Sequence, residues 1–551
     1  MIQSRFSMHD VVRSCAQNIM KDEGLLLSEG QDVTRTLGTA KLRHLSISNK
    51  APWLDILQKQ ASLRTLILFG STTLELNKDL LSNLSCLRVL YLYNVNLVEL
   101  TESISQLKHL RCLVICGASI STVPRGIGYL RFLQTIDLPG CTNISRLPDN
   151  ILKLRRLRSL NLRGTAITSV PRGFRKLEDL VNMVGFRTHS EHSVDGWCSL
   201  EELGPLSKLK MLEIDHLEKA PSGSMAAKAM LSSKHHLTDL DLIFTSRIRE
   251  NGGIIEDNIT EEEHGRTDEV LANLCPPTCI EALDIKGYFA RGLPRWMRTI
   301  SAFGSLRRLQ LEDYACCMLL PNGLGQLPFL DYFWIQRAPS VRHVGHELLH
   351  HSLGDDSSGK DKRDARKKNS RGAEVAFPKL KELGFVALLG WTQWEWEQHT
   401  PAMPALEQLS ICVCNLQRLP AGLAHHACPL RVLKLVGVLN LVSVENFPSL
   451  IDLQLGDNPR LERISDISSL KLILIKRCQS LKELDGLQSL QSLKWSDLGA
   501  EALPLYLRVV KLNKMRMDCS LSLLKLIALQ DDSSEWGKVV QHVQQLEAFG
   551  V

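Results

Sequence analysis

One segment of the chain matches a catalytic signature in full: His346-Glu347-Leu348-Leu349-His350. On a helix, its two histidines would share a face and could hold zinc, with the glutamate between them as base. Its surroundings argue otherwise. Val341, Val344 and Leu348 are spaced as the apolar positions of a segment returning to a core, and a third ligand would have to come from the polar insert that follows His350. The thiol candidates, Cys275-Pro-Pro-Thr-Cys279 and Cys316-Cys317, lack the second pair that a zinc site needs. The chain has no G-x-x-x-x-G-K-[ST] phosphate loop, G-x-S-x-G elbow or kinase signature set. We therefore expect no catalytic residues, no metal and no enzyme, the zinc hydrolase at His346 and His350 being the alternative that metal analysis decides.

The elements that would position such groups come from a motif that fills most of the chain. It reads Leu42-Arg-His-Leu45-Ser-Ile47, Leu63-Arg-Thr-Leu66-Ile-Leu68, Leu87-Arg-Val-Leu90-Tyr-Leu92, Leu110-Arg-Cys-Leu113-Val-Ile115, Leu133-Gln-Thr-Ile136-Asp-Leu138 and Leu157-Arg-Ser-Leu160-Asn-Leu162. These early units recur at about the 20–29-residue period of leucine-rich repeats. The motif continues at Leu209, Leu237, Ile280, Leu306, Leu330, Leu380, Leu406 and Leu430, then tightens at Leu450, Leu470 and Leu490. The expected fold is α/β: a horseshoe-shaped leucine-rich-repeat solenoid with a parallel β-sheet on its concave face and a short N-terminal helical remnant. Alternation along the strands sends Tyr91, Tyr93, Asn161, Arg163, Trp334 and Gln336 to the concave surface.

Arg43, Arg64, Arg88, Arg111 and Arg158 hold the same place in successive repeats, so stacking should align them in a basic stripe along one sheet edge. The stripe is either a solvated rim or a docking surface for an acidic partner. Trp391, Trp394 and Trp396 either fill the core of one repeat or form an exposed aromatic anchor.

Composition narrows the setting. The net charge of +6 over 551 residues does not call for nucleic acid. Fifteen cysteines, an odd number without framework spacing, read as reduced thiols. The N-terminus has no apolar signal region and the chain no run of 18 apolar residues, so we expect a cytoplasmic protein without a membrane span. The inserts near 245–275 and 352–373 have the composition of mobile loops. The second, with Lys360, Lys362, Arg363, Arg366, Lys367, Lys368 and Arg371, is a solvated loop or else a nuclear-localisation or nucleic-acid patch, and a localisation patch would add the nucleus as a second compartment. The domain reading is 1–40 outside the repeats, with an amphipathic helix at about 8–21, repeats over 41–525, and a cap at 526–551.

Phe6-Ser-Met8-His9-Asp10-Val11-Val12-Arg13 resembles the Met-His-Asp motif that closes the winged-helix part of the nucleotide-binding module in plant NLR immune receptors. Leu42-Arg-His-Leu-Ser-Ile, Cys275-Pro-Pro-Thr-Cys-Ile, Gly287-Tyr-Phe, Leu293-Pro-Arg-Trp-Met and Glu535-Trp536 are similar to repeats of the coiled-coil class of these disease resistance proteins. The resemblance implies that 1–40 is a winged-helix remnant. It also implies that His9 would contact ADP, with Asp10 bracing the turn. The repeats would then fold back on the nucleotide-binding module, in cis or in trans, and sense a pathogen effector or a guarded host protein. The sequence departs from the family in lacking a P-loop and a coiled-coil domain, so His9 and Asp10 acquire a nucleotide only within a longer parent protein. A different class, a stand-alone intracellular scaffold or adaptor, would need no such module. Calorimetry of the 551-residue chain with ATP or ADP should show no tight binding, and tight binding would overturn this reading.

Overall fold

A computed structural model describes residues 24–27, 42–48, 57, 60–70, 543–550 and 73–528, the last range except for 75, 77, 98, 169, 189–198, 251, 256–258, 350–374, 397–400 and 509. The expected helix at 8–21, His9, Asp10, His350, the basic insert and Glu535-Trp536 lie outside these residues, as do the side chains of His346 and Glu347. The chain divides into two compact units, 1–240 and 241–551.

In the first unit the Leu-x-x-Leu-x-Leu motifs become short parallel strands, among them Thr65–Phe69, Val89–Tyr93, Cys112–Cys116, Thr135–Asp137 and Ser159–Asn161. Leu66, Leu90, Leu113, Ile136 and Leu160 lie opposite one another, each no more than 1% exposed, so every repeat covers the leucines of the one before. The chain returns through single-turn helices such as Glu102–Gln106 and Arg125–Tyr129. Their free N–H groups bind across repeats: the Glu102 carboxylate accepts from the amides of Arg125 (2.8 Å) and Gly126 (2.6 Å), and buried Glu202 accepts from those of Gly173 and Arg175 (both 3.0 Å). Lys234, 1% exposed, donates to the carbonyls of Leu203, Gly204 and Leu206, and burial pulls its pKa down to about 8.

The second unit repeats this scheme through Arg308–Glu312, Tyr332–Gln336, Glu382–Leu388, Gln408–Cys414 and Val432–Val438, then through Asp452–Gly456, Leu472–Lys476, Ser492–Asp497 and Leu512–Cys519. Asn458, fully buried, ties two repeats by accepting from the Val438 amide (2.8 Å) and donating to the Leu435 carbonyl (2.9 Å). In the 20-residue repeats the return path is too short for a helix, and Ser443–Glu445, Arg463–Ser465 and Glu483–Leu484 form a second, parallel sheet instead.

The structure changes several expectations. The insert near 245–275 is not a plain loop: Glu261–Asn273 is a helix opened by a capping box between Thr260 and Glu263. Its acidic first turn, which reads as a solvated run, suits the positive end of the helix dipole, and the fully buried Val270 and Leu271 anchor it. Trp296 donates from Nε1 to the Leu271 carbonyl (2.9 Å), and the Tyr288 hydroxyl donates to Asp268 (3.0 Å). The parallel ladder also overruns both repeat boundaries. Gly24–Leu27 pairs with His44–Ile47 inside the segment assigned to the winged-helix remnant, and Val543–Gly550 pairs with Leu512–Cys519 inside the segment assigned to the cap. Neither added strand carries the full leucine motif. Among the described residues no helix is long and apolar enough to cross a membrane.

Burial raises the thiol pKa values of Cys317 and Cys414 to about 11. The native state therefore holds these protons to higher pH than the unfolded chain does. Their stabilisation is complete below the ordinary thiol value and disappears as pH rises through about 11. In urea titrations, Cys317→Ala and Cys414→Ala should each shrink the loss of unfolding free energy between about pH 8.5 and 11 by about 2 kcal/mol.

Candidate functional site

The basic stripe is built by the strand ladder itself. The Arg43 carbonyl accepts from the amides of Arg64 and Thr65, Arg64 from Arg88 and Val89, and Arg88 from Arg111 and Cys112, all at 2.7–3.0 Å. The file continues through Gln134, Arg158, Val181 and Lys210. Arg43, Arg88, Arg111 and Arg158 are exposed and Arg64 is half-buried. The same ladder in the second unit aligns Glu281, Arg307, Asp331, Lys381, Glu407 and Arg431, which alternate in sign, before it runs on through Ile451, Lys471, Gln491 and Asn513, and Arg307 pairs with Glu281 at 3.8 Å. Strands about 4.8 Å apart set residues of like charge side by side, where they repel one another. The second unit relieves this repulsion by alternation, whereas the first stacks arginines.

Beside the file, the open strand face of the first unit changes character along the sheet. Ile67, Phe69, Tyr91, Tyr93, Val114 and Cys116 make an apolar, aromatic stretch, with Phe69 39% and Tyr93 45% exposed. The Phe69 ring lies 5.9 Å from Tyr91 and 6.2 Å from Tyr93. Asp137, Asn161, Arg163 and Glu213 follow. Arg163 pairs with Glu213, while Asp137 Oδ1 is buried with no donor among the described residues, and burial raises the Asp137 pKa.

In the second unit Trp334 does face the open side of the sheet, yet it is half-buried and lies flat. A Cβ on Gly384, its register partner, would collide with the indole, and Tyr332 stacks beside it at 5.9 Å and 11°. In the same row, Asp284 is 7% exposed and lies 3.4 Å from Arg308. Burial, with Asp241 adding, raises the Asp284 pKa to about 6. Trp391, Trp394 and Trp396 form a ring chain with Phe385 and are at most 6% exposed, so they fill the core rather than anchor a partner.

The structure thus gathers Arg43, Arg64, Arg88, Arg111 and Arg158 into one file with Tyr91 and Tyr93 on the adjoining face, and places Trp334 apart, in the other unit. The apolar positions beside the His-Glu-x-x-His match, Val341, Val344 and Leu348, are buried as return-segment positions, and among the described residues the helix there covers His346–Leu349. Phe69 and Gly384 are not among the residues expected from the sequence. Aligning Phe69 with Tyr93, and Gly384 with Trp334, would have found both. The arrangement offers broad charged and aromatic surfaces, which suit binding.

The family model for a leucine-rich repeat region matches residues 62–452. Over 451 residues, 77% of the chain, it is 32% identical to a disease resistance protein of Arabidopsis thaliana. It is 29% identical over 425 residues to an RPP13-like disease resistance protein of the same plant, covering 75% of the chain, and 27% identical over 289 residues to the disease resistance protein RGA2 of Solanum bulbocastanum, covering 52%. The chain spans 29%, 38% and 24% of the lengths of these three relatives.

Replacing Gly384 with alanine should expel the Trp334 indole from the sheet face. The expected readout is greater acrylamide quenching of tryptophan fluorescence than in the parent chain, an increment absent when Gly384→Ala is combined with Trp334→Phe.

Proposed function

Because the chain belongs to the leucine-rich repeat region family and is homologous to plant disease resistance proteins, we propose that it is the recognition and autoinhibition region of such a receptor. It acts by binding protein in the cytoplasm, with access to the nucleus, and catalyses no reaction. The observation that carries this reading is the arginine file of the first unit. Solubility alone does not require a single sign at this edge, since the second unit builds the same edge from alternating charges. A partner with a complementary acidic surface would offset the repulsion along the file.

In this reading the resting partner is a nucleotide-binding module, in cis or in trans, and the effector or guarded host protein engages the repeats to bias the receptor toward its active state. Such a switch requires that the partners bind the two states unequally. The nucleotide is held by the module, and His9 and Asp10 touch it only in a parent protein that also supplies a phosphate cradle.

With the nucleotide-binding module of a related receptor supplied in trans, Arg88→Glu combined with Arg111→Glu should weaken co-purification about tenfold or more. The parent interaction should also weaken between about 50 and 300 mM salt. An unchanged pull-down would refute the role of the file.

A further inference from the structure

The second unit carries a groove of about 550 Å³ on the return side of its repeats, away from the main sheet. It opens where the repeat period shortens. The last helical return segment before the 20-residue repeats, Ala421–His426, rests on tryptophan: a Cβ on Gly422 would collide with the Trp396 indole, and His426 stacks on the same ring at 6.2 Å. The next repeat returns through the strand Ser443–Glu445 instead. A helix cannot pair with that strand, so a gap remains between Arg418, Pro420, Ala421 and His425 on one wall and Ser443, Glu445 and Phe447 on the other.

The strand lining this gap is the edge of the second sheet. Val442 accepts from the Arg463 amide and Asn446 donates to the Ser465 carbonyl, both at 3.3 Å, and Val444 lies opposite Ile464. Because main-chain groups alternate in direction along a parallel strand, the N–H and C=O of Ser443 and Glu445 point the other way, into the groove. Among the described residues they have no main-chain partner. Only another extended backbone matches such a row of donors and acceptors. The walls supply two carboxylates, Glu445 and Asp466, against one guanidinium, Arg418. The volume falls within the range of about 300–1,000 Å³ typical of ligand sites.

We propose that this groove binds an extended peptide segment that adds a strand to the Ser443–Glu445 edge and sets a lysine or arginine side chain against Glu445 and Asp466. The site lies on the return side of the second unit's repeats, and its occupant would leave the open face of that unit's main sheet uncovered.

The test is selection of a randomised eight-residue peptide library on the full chain, with subtraction on a Ser443→Pro chain. Proline removes an outward-pointing amide and leaves the pairing with Arg463–Ser465 intact, so the variant should melt like the parent. Enriched peptides should alternate apolar residues with lysine or arginine. By fluorescence polarisation, the best peptide should lose about tenfold or more in affinity when its alternate main-chain amides are N-methylated, or when the target is Ser443→Pro. Glu445→Lys with Asp466→Lys should select acidic peptides instead. Failure to enrich any peptide over the Ser443→Pro chain overturns the proposal, as does a peptide indifferent to N-methylation. If proline at 443 lowers the melting temperature, the N-methylated peptide against the parent chain decides alone.

Discussion

A repeat of this kind cannot bury its own leucines. Leu66 or Leu90 reaches an exposure of 1% only because strands on either side bring another apolar residue into the same column. Stability within each unit therefore accumulates between neighbours. The features that hold the repeats in register follow from this: Glu102 and Glu202 reach across to amides of an adjacent return segment, Asn458 holds the Val432–Val438 strand of the preceding repeat at two points, and Lys234 gathers three carbonyls. Each satisfies a main-chain group that the irregular return path leaves without a partner.

A ladder that stacks leucines stacks every other position too. Whatever residue follows the first leucine of the motif is multiplied into a file, so a small preference in one repeat becomes an extended field over several. The two units use this in opposite ways. Arginine at five positions, interrupted by Gln134 and Val181, gives the edge of the first unit a single sign of charge, and alternation of glutamate, arginine, aspartate and lysine balances that of the second between Glu281 and Arg431. The rows beyond the file behave similarly: Phe69, Tyr91 and Tyr93 converge in one unit, and Tyr332 and Trp334 in the other.

Repeat length governs the opposite side of the ladder. Longer repeats have room for a helix or a single helical turn, the 20-residue repeats have room only for a strand, and the junction between them cannot be closed by hydrogen bonds. The helix at that junction packs directly on the tryptophan core around Phe385, because Gly422 leaves room for the Trp396 indole.

Much of this was legible in the chain. Periodic leucines determine the strands and their parallel stacking, because one face of each strand must be buried and the repeat period allows only that return. The arginine file follows from the same register. The sequence did not reveal the helix Glu261–Asn273, whose buried residues face partners such as Trp296 that are distant in the chain, nor the strands Gly24–Leu27 and Val543–Gly550, which pair without the full motif. Whether a tryptophan is core or surface was equally undecided. Trp334 lies flat because Gly384, fifty residues on, leaves room for it, and Trp391, Trp394 and Trp396 pack inward on Phe385. Local periodicity determines which face of a strand is buried, whereas the fate of a large side chain depends on the volume left by residues that only the stacked repeats bring beside it.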